Sequence, residues 1–194
     1  MTENPPGPVV ALYGGSFDPP HVAHVLAAAW LLSAAPVDVV WVMPVFRHPF
    51  GKPLAPWADR LAMCSQAFGM FAAACLVRED ERLLAKHPDS RGRTIDLLDH
   101  LRAQHPDHRF RLVVGSDAIA ERERWHRFDD IARVAPPLVL GRPGYRPEPG
   151  YEPAIVLPGV SSTDLRADLV AGRPVAGRLP REVAAWIEAK GLYR

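Results

Sequence analysis

The sequence has 194 residues, of which 48% are hydrophobic and 23% are charged, and its formal net charge is +1. These values predict a folded protein and exclude an intrinsically disordered one, and the near-neutral charge gives no reason to expect nucleic acid or a membrane as a partner. Two cysteines, Cys64 and Cys75, form neither a disulfide framework nor a metal-ligand motif. The N-terminus has no signal-peptide core and no apolar run approaches the roughly 18 residues of a membrane span, so we expect a cytoplasmic protein.

Apolar runs alternate with segments of helical periodicity along the whole chain. The predicted strands are residues 9–13, 37–43, 73–77, 110–114, 138–140 and 154–157. The predicted helices run from the turn that ends at residue 24 to about residue 33, and over residues 57–68, 94–104, 129–134, 161–170 and 181–190, with a short helical region after residue 117. Residues 1–8 read as a frayed lead-in, and residues 44–56 and 78–93 read as loops.

Strands that alternate with helices in this way indicate βαβ units and parallel strand pairing. We therefore predict one domain over residues 1–194, with an α/β fold built on a doubly wound, mostly parallel sheet. A small helical piece is expected at the C-terminus.

The most informative stretch, residues 13–24, joins the first strand to the first helix and contains Gly14, Gly15, His21 and His24. Glycines at such a turn allow a ligand to approach the backbone closely. The start of the following helix supplies N–H groups and the positive end of its dipole, which favours phosphate.

Three further stretches follow predicted strands, and the carboxyl ends of parallel strands meet at one edge of a sheet, where ligands bind. They are residues 44–52, 115–125 and 161–166. Two helix starts, together with a lysine and an arginine in these stretches, predict a site that holds a polyphosphate from several sides.

Several common enzyme motifs do not occur in the sequence. There is no G-x-x-x-x-G-K-[ST] phosphate loop and no G-x-G-x-x-G dinucleotide motif. A G-x-S-x-G nucleophile elbow is also missing, which argues against acyl hydrolysis.

The segment Gly14-Gly15-Ser16-Phe17-Asp18-Pro19-Pro20-His21-x-x-His24 resembles the signature of the nucleotidylyltransferase superfamily. More narrowly, it is similar to the G-G-[ST]-F-D-P-x-H-x-G-H motif of the bacterial nicotinate-nucleotide adenylyltransferase family. Further matches follow in order along the chain: Gly115-x-Asp117 with Trp125, Arg142-Pro143-Gly144, Ser161-Ser162-Thr163-x-x-Arg166 and the terminal Gly191-Leu192-Tyr193-Arg194.

This resemblance implies a Rossmann-like nucleotidyltransferase fold and transfer of AMP from ATP to nicotinate mononucleotide in NAD biosynthesis. The catalytic residues that it implies are His21, His24, Lys52 and Arg166. The ATP-binding residues that it implies are Gly14, Gly15, Ser16, Phe17, His21, His24, Gly115, Asp117, Ser161, Ser162, Thr163 and Arg166. Ser16, Lys52, Thr94 and Trp125 would bind the acceptor, with the indole of Trp125 stacked on its pyridine ring.

The resemblance also implies Mg²⁺ carried by the ATP phosphates, with no metal cage of protein ligands. The expected partners are ATP and a pyridine mononucleotide, not nucleic acid or a membrane, and a homo-oligomer is compatible with the pattern.

Two positions depart from the family motif. Ala23 replaces the glycine that normally lies between the two histidines, a change that a helix tolerates. The family's P-P-H-K segment is replaced by residues 48–52, so that Lys52, rather than His48, matches the phosphate-binding position.

Alternative interpretations remain open at this level. The histidines at i and i+3 could bind a metal, although no companion ligand has suitable spacing. Ser161 to Thr163 could serve only as a helix cap, and Trp125 and Lys52 could be ordinary packing and surface residues. At the level of function, the alternatives are another acceptor, such as nicotinamide mononucleotide, or a nucleotide-binding module without turnover.

Overall fold

The structure, a computed structural model that describes residues 7–47, 51–87 and 92–194, is organised around a six-stranded sheet in which neighbouring strands are parallel. The strands are β1 (Val9–Gly15), β2 (Val39–Pro44), β3 (Cys75–Val77), β4 (Arg109–Gly115), β5 (Pro137–Gly141) and β6 (Ile155–Val156). Their spatial order is β3-β2-β1-β4-β5-β6. The order reverses between β1 and β4, which is where a doubly wound sheet opens a crevice for a ligand.

Helices cover both faces of the sheet. In the described residues the α-helices are α1 (Val22–Ala34), α2 (Trp57–Phe68), α3 (Asp80–Leu84), α4 (Thr94–Gln104), α5 (Ser116–Ala120), α6 (Phe128–Val134), α7 (Ser162–Val170) and α8 (Arg181–Lys190). Two 3₁₀ helices span Gly69–Ala74 and Arg122–Arg124.

Alternate residues of each central strand enter two different cores. In β1, Ala11 and Tyr13 pack with α1 and α2, whereas Val10 and Leu12 pack with α4 and α6. Because both faces of β1 are buried, its sequence is a continuous apolar run rather than an alternating one. The predicted α/β fold with a doubly wound parallel sheet is therefore confirmed.

The predicted C-terminal helical piece is also present, and it packs on α2. Val183 and Ile187 of α8 are buried in the core that α1 and α2 share. The Trp186 indole donates to the Asp59 carboxylate of α2 at 3.2 Å. These contacts hold the C-terminal helix against α2.

Three local predictions were wrong. The loop expected at residues 78–93 contains the short helix α3, whose first turn carries Asp80 and Glu81, the favourable charge at a helix start. The strand expected at 73–77 begins only at Cys75, because the preceding residues form a 3₁₀ helix with Ala72 at φ 49°. The last strand is shortened to Ile155–Val156.

Cys64 lies in α2 and Cys75 in β3, and both are buried without a disulfide, as the sequence predicts. The altered loop at residues 48–50 and most of the proline-rich lead-in lie outside the described residues. Across the ranges that the structure describes, no helix is both long and apolar enough to cross a membrane.

Candidate active site

A cleft of about 1040 Å³ opens at the carboxyl ends of the strands, above the point where the strand order reverses. All of the site residues expected from the sequence line this cleft: Gly14, Gly15, Ser16, Phe17, His21, His24, Lys52, Thr94, Gly115, Asp117, Trp125, Ser161, Ser162, Thr163 and Arg166. Residues separated by up to about 150 positions in the sequence thus face one volume because parallel strands end at the same edge.

His21 and His24 form a stacked pair at the start of α1. His21 is the N-cap residue and is only 2% exposed, and His24 occupies the third helical position. The two rings lie 3.7 Å apart with an angle of 21° between them. The His21 backbone N–H donates to Nδ1 of His24 at 3.1 Å, which assigns the proton of a neutral His24 ring to Nε2.

Both imidazoles are neutral at pH 7. Burial, reinforced by Arg142, lowers the pKa of His21 to about 4. Burial also lowers the pKa of His24 well below 6.5, and both His21 and Arg142 add to this effect. Phe17 contributes to the apolar surroundings, since its ring centroid lies 4.9 Å from that of His24. The pair can therefore donate hydrogen bonds without carrying a charge.

This depressed pKa predicts a pH-dependent stability. An unfolded chain protonates His21 below pH ~6.5, whereas the folded chain does not until about pH 4. The free energy of unfolding therefore falls by about 1.4 kcal/mol for each pH unit between these values. The stabilising contribution is complete above pH ~6.5 and declines as the pH falls. Urea unfolding at pH 7.5 and 5.0 measures this effect. Between these two pH values the free energy of unfolding should fall by about 2 kcal/mol more for the unaltered chain than for His21→Asn.

The exposed His87 provides the matched control, because His87→Asn should keep the pH dependence of the unaltered chain. Identical pH dependence for His21→Asn and the unaltered chain would show that His21 is not held neutral by the fold.

The amides at the start of α1 are less available than the sequence suggests. The Val22 N–H donates to the Arg178 carbonyl at 3.0 Å, and the His24 N–H donates to the His21 carbonyl at 2.9 Å. The chain segment before α8 crosses the helix start and takes up the first of these donors. Side chains, more than free backbone amides, therefore define this part of the cleft.

The second helix start in the cleft belongs to α7. Ser161 is its N-cap, and its hydroxyl accepts from the Asp164 N–H at 3.1 Å. The Ser162 hydroxyl donates to the Pro19 carbonyl at 2.9 Å, which ties α7 to the turn after β1. Ser161 and Ser162 thus have structural partners of their own, and Thr163 is the member of the motif that contacts the cationic side chains.

Lys52 and Arg166 converge on Thr163. Lys52 Nζ and Arg166 Nη2 each lie 3.4 Å from the Thr163 hydroxyl. Nη1 of the same guanidinium donates to the Asp18 carbonyl at 2.6 Å. Two cations from distant parts of the sequence therefore meet in the cleft that His21 and His24 line, and they form a favourable place for a polyanion.

Gly115 ends β4 and Asp117 follows it in α5, on the other side of the crevice. A Cβ at position 115 would overlap the Asp117 carboxylate, so only glycine lets this side chain lie across the strand end. Asp117 Oδ2 lies 3.3 Å from Nη1 of Arg142. The Arg142 backbone N–H in turn donates to the Ser116 hydroxyl at 2.9 Å, which holds the ends of β4 and β5 together.

Thr94 and Trp125 lie at a different part of the wall. Thr94 is the first residue of α4, and Trp125 follows the second 3₁₀ helix, where its ring meets Phe128 edge-to-face at 6.0 Å. Within the described residues no hydrogen bond joins Thr94 or Trp125 to the Lys52–Arg166 end. We call the part of the cleft with Lys52 and Arg166 the cationic end, and the part with Thr94 and Trp125 the aromatic end.

Comparison with known proteins identifies the family. The cytidylyltransferase-like family model matches residues 12–168. A protein of Anaeromyxobacter sp. (strain K) named "Probable nicotinate-nucleotide adenylyltransferase" is 47% identical over 188 residues, which cover 97% of this chain and 98% of the relative. A protein of the same name from Anaeromyxobacter dehalogenans is 46% identical with the same coverage. This chain belongs to the nicotinate-nucleotide adenylyltransferase family.

Solved structures agree with this assignment at the level of the fold. Plasmodium falciparum nicotinic acid mononucleotide adenylyltransferase complexed with NaAD superimposes with a TM-score of 0.81, over 96% of this chain and 98% of that chain. The two sequences are only 18% identical, so the likeness shows the fold alone.

Three charged residues of this family member, in or beside the cleft, carried no predicted role. Arg60 is 1% exposed and donates to the backbone carbonyls of Ser16 at 2.9 Å and Ala55 at 3.0 Å. Asp18 is 2% exposed and accepts from Tyr193. Arg142, matched to the family motif by sequence, is the cation that acts on both histidine pKa values. Helical periodicity places Arg60 on α2, but its carbonyl partners come from loops that a sequence pattern does not position.

Metal binding by the protein itself has no structural support in residues 7–47, 51–87 and 92–194. No group of three or more His, Cys, Asp or Glu side chains there is arranged to hold an ion. Of the carboxylates that line the cleft, Asp117 lies 3.3 Å from Arg142 and Glu121 lies 2.8 Å from Arg124.

Proposed function

We propose that this chain transfers the AMP unit of ATP to nicotinate mononucleotide, which yields deamido-NAD and pyrophosphate in NAD biosynthesis. The observation that carries this proposal is the convergence of Lys52 and Arg166 on Thr163 in the cleft that holds His21 and His24. The family to which the chain belongs performs this class of transfer, and the two cations suit the phosphate groups of the substrates.

The triphosphate would lie between the histidine pair and the start of α7. Lys52 and Arg166 would neutralise the leaving phosphates, and the positive end of the α7 dipole adds to this field. Gly14 leaves open space where a larger residue would place its Cβ, so ATP can approach the end of β1 closely. The cationic end of the cleft is therefore proposed as the pyrophosphate site.

In the proposed reaction, an oxygen of the acceptor 5′-phosphate forms a bond to the α-phosphorus of ATP. The bond from that phosphorus to the bridging oxygen of the β-phosphate breaks, and pyrophosphate leaves with the electron pair. The second pKa of a phosphate monoester is near ~6, so the attacking oxygen is already ionised at neutral pH. Catalysis then depends on alignment and on stabilising charge around the α-phosphate.

Neutral histidines suit this chemistry. His24 has its Nδ1 occupied by the His21 N–H, so its Nε2–H is directed to a phosphate oxygen as a fixed donor. Neither ring needs to act as a general base.

Magnesium is proposed to enter with ATP, bound by the phosphates and by water. A Mg–ATP complex of this kind is how this hard cation usually reaches phosphoryl-transfer sites. The ion supplies charge neutralisation on the phosphate oxygens. Lys52 and Arg166 share that task from the protein side.

The aromatic end of the cleft is proposed to bind the acceptor. The face of the Trp125 indole suits a cationic pyridinium ring. Arg93 and Thr94 line the cleft at the start of α4, and a helix start beside an arginine favours a carboxylate over a neutral amide. This charge pattern supports nicotinate rather than nicotinamide mononucleotide, with Ser16 and Lys52 near the acceptor phosphate.

The experiment that tests the function is pyrophosphate release from Mg–ATP with a panel of acceptors. Nicotinate mononucleotide should give the highest kcat/KM, and nicotinamide mononucleotide a lower one. Turnover with neither pyridine mononucleotide would contradict the proposal. ATP binding without pyrophosphate release for any acceptor would favour the alternative of a nucleotide-binding module without turnover.

Trp125 provides a more specific prediction. Trp125→Ala should raise KM for nicotinate mononucleotide by about tenfold or more, because stacking on an aromatic side chain contributes ~1–3 kcal/mol per base. Trp125→Phe should retain most of the affinity, and the dissociation constant of ATP should change little in either variant. Steady-state kinetics with each substrate varied in turn measure both effects. Equal losses for ATP and the acceptor would indicate that Trp125 only supports the fold.

We place the reaction in the cytoplasm, where ATP and free mononucleotides are available. Self-association of the chain stays a prediction, which light scattering on the purified protein tests.

A further inference from the structure

Asp18 lies buried beside the cleft and connects the turn after β1 with three other segments. Its side chain is in the turn after β1 and the residue is 2% exposed. Oδ1 accepts from the Tyr193 hydroxyl at 2.6 Å and from the Ala55 N–H at 3.2 Å. Oδ2 lies 3.7 Å from Nη1 of Arg166, and the same nitrogen donates to the Asp18 carbonyl at 2.6 Å.

Two of these partners lead to the two cations of the cationic end. Ala55 belongs to the loop that carries Lys52 three residues earlier, and Arg166 is one of the two cations that contact Thr163. Arg60 also joins this loop to the turn after β1, because it donates to the carbonyls of both Ala55 and Ser16. Tyr193 differs from all of them, because it comes from the last two residues of the chain and lies outside the turn, the loop and α7.

The chain reversal after α8 delivers Tyr193 to Asp18. Gly191 has a φ of 60° and caps the helix, and the Leu192 N–H returns to the Ile187 carbonyl at 3.0 Å. This closes a Schellman-type cap. Tyr193 itself has a φ of 57°, an uncommon conformation for a residue with a side chain, and one that is held only when the surroundings require it.

The Tyr193 hydroxyl supplies a hydrogen bond to Asp18 that Arg166 would otherwise have to provide. A buried carboxylate needs hydrogen-bond donors or a cation. Because Tyr193 satisfies Oδ1, Arg166 can remain 3.7 Å from Oδ2 and keep its second nitrogen on Thr163. Burial and the bond to Asp18 raise the pKa of Tyr193 above its usual range, so the hydroxyl stays a donor.

We propose that Tyr193 is a positioning residue for the cationic end of the cleft, and that its hydroxyl keeps Arg166 on Thr163 by satisfying the Asp18 carboxylate. Without this donor, Arg166 moves onto Asp18 and withdraws from the triphosphate. The inference rests on the proposed function only in that the cleft binds ATP.

The first test is Tyr193→Phe, which removes the hydroxyl and keeps the ring. Calorimetric titration with a non-hydrolysable ATP analogue should show about tenfold weaker binding, the size expected for a lost hydrogen bond to a charged group. The kcat/KM for ATP should fall in parallel, while KM for nicotinate mononucleotide changes by less than about twofold. Tyr151→Phe, which removes a hydroxyl outside the cleft lining, is the matched control and should bind like the unaltered chain.

The second test separates positioning from general damage to the fold. If Asp18 draws Arg166 away when the hydroxyl is lost, neutralising Asp18 should reverse the effect. The double variant Asp18→Asn with Tyr193→Phe should therefore bind the ATP analogue more tightly than Tyr193→Phe alone, a non-additive cycle. A merely structural role predicts that the double variant is worse.

The outcomes also distinguish this inference from the proposed reaction. Normal analogue binding by Tyr193→Phe, or weaker binding by the double variant than by Tyr193→Phe, would overturn the positioning role. An unaltered chain that binds the analogue but turns over no pyridine mononucleotide would contradict the reaction and leave the binding test valid. An unaltered chain that does not bind the analogue would overturn both.

Discussion

His24→Asn is expected to lower kcat/KM for ATP by about 10²–10³-fold, the loss typical of removing one fixed donor at a charge-stabilising site. The stability of the variant should remain within about 0.5 kcal/mol of the unaltered chain, because the helix cap survives. Pyrophosphate release and urea unfolding measure the two quantities on the same samples.

The choice of asparagine follows from the geometry of the pair. Nδ1 of His24 accepts the His21 N–H at 3.1 Å, and the amide oxygen of asparagine can occupy nearly the same place. What asparagine cannot supply is a donor at the position of Nε2. The substitution therefore removes the group proposed to contact the phosphate and leaves the start of α1 capped.

Two further variants complete this test. His24→Ala should lose the activity and, in addition, about 1 kcal/mol of stability, since the His21 N–H then loses its acceptor. His87→Ala changes an exposed histidine away from the cleft and should leave activity unchanged. If His24→Asn kept kcat/KM within about threefold, Nε2 would not be a phosphate donor.

The sequence allowed the cleft to be predicted where the signal is local. The strand–turn–helix around residues 9–34 and the cap at Ser161 follow from short-range periodicity and capping chemistry. Because β1 is buried on both faces, its apolar run was unambiguous, and the order of strands and helices then led to a parallel sheet. The roles implied by the family motif were placed on residues that all line one cleft.

The sequence did not predict the contacts that hold these residues in place. Tyr193 and Asp18 are 175 positions apart, and nothing in either segment indicates a hydrogen bond between them. Arg60 reads as a polar position on an amphipathic helix, yet it is buried and satisfied by backbone carbonyls of two loops. Helix α3 was missed because five residues are too few to show a period.

The histidine pKa values are another property that the sequence did not predict. His21 and His24 were expected to meet phosphates, and that role is compatible with either protonation state. Their neutrality depends on burial by Phe17 and on the position of Arg142, both set by tertiary packing. A donor role for neutral rings is therefore a conclusion that needed the structure.

Arg166→Gln is expected to lower kcat/KM for ATP by about 10³-fold, because an arginine that stabilises phosphoryl-transfer charge typically contributes 10³–10⁵. Arg166→Lys should recover part of the loss and still fall about tenfold below the unaltered chain. Lysine restores the charge but not the planar fork, and here one nitrogen reaches the Asp18 carbonyl at 2.6 Å while the other reaches Thr163 at 3.4 Å.

Arg173→Gln is the matched control. Arg173 lies beyond the end of α7, its side chain is 58% exposed, and it pairs with Asp168 of that helix. Such a surface pair contributes at most about 1 kcal/mol, so activity should not change. Retention of kcat/KM within about threefold by Arg166→Gln would contradict the proposed contact with the triphosphate.

A double variant at Lys52 and Arg166 tests whether the two cations contribute independently to kcat/KM. Lys52 and Arg166 meet at the same hydroxyl, so their contributions are coupled rather than independent. Lys52→Ala combined with Arg166→Gln should therefore cost less than the sum of the separate losses in ln(kcat/KM). Strict additivity would mean that the two side chains act on different phosphates, with Lys52 on the acceptor phosphate alone.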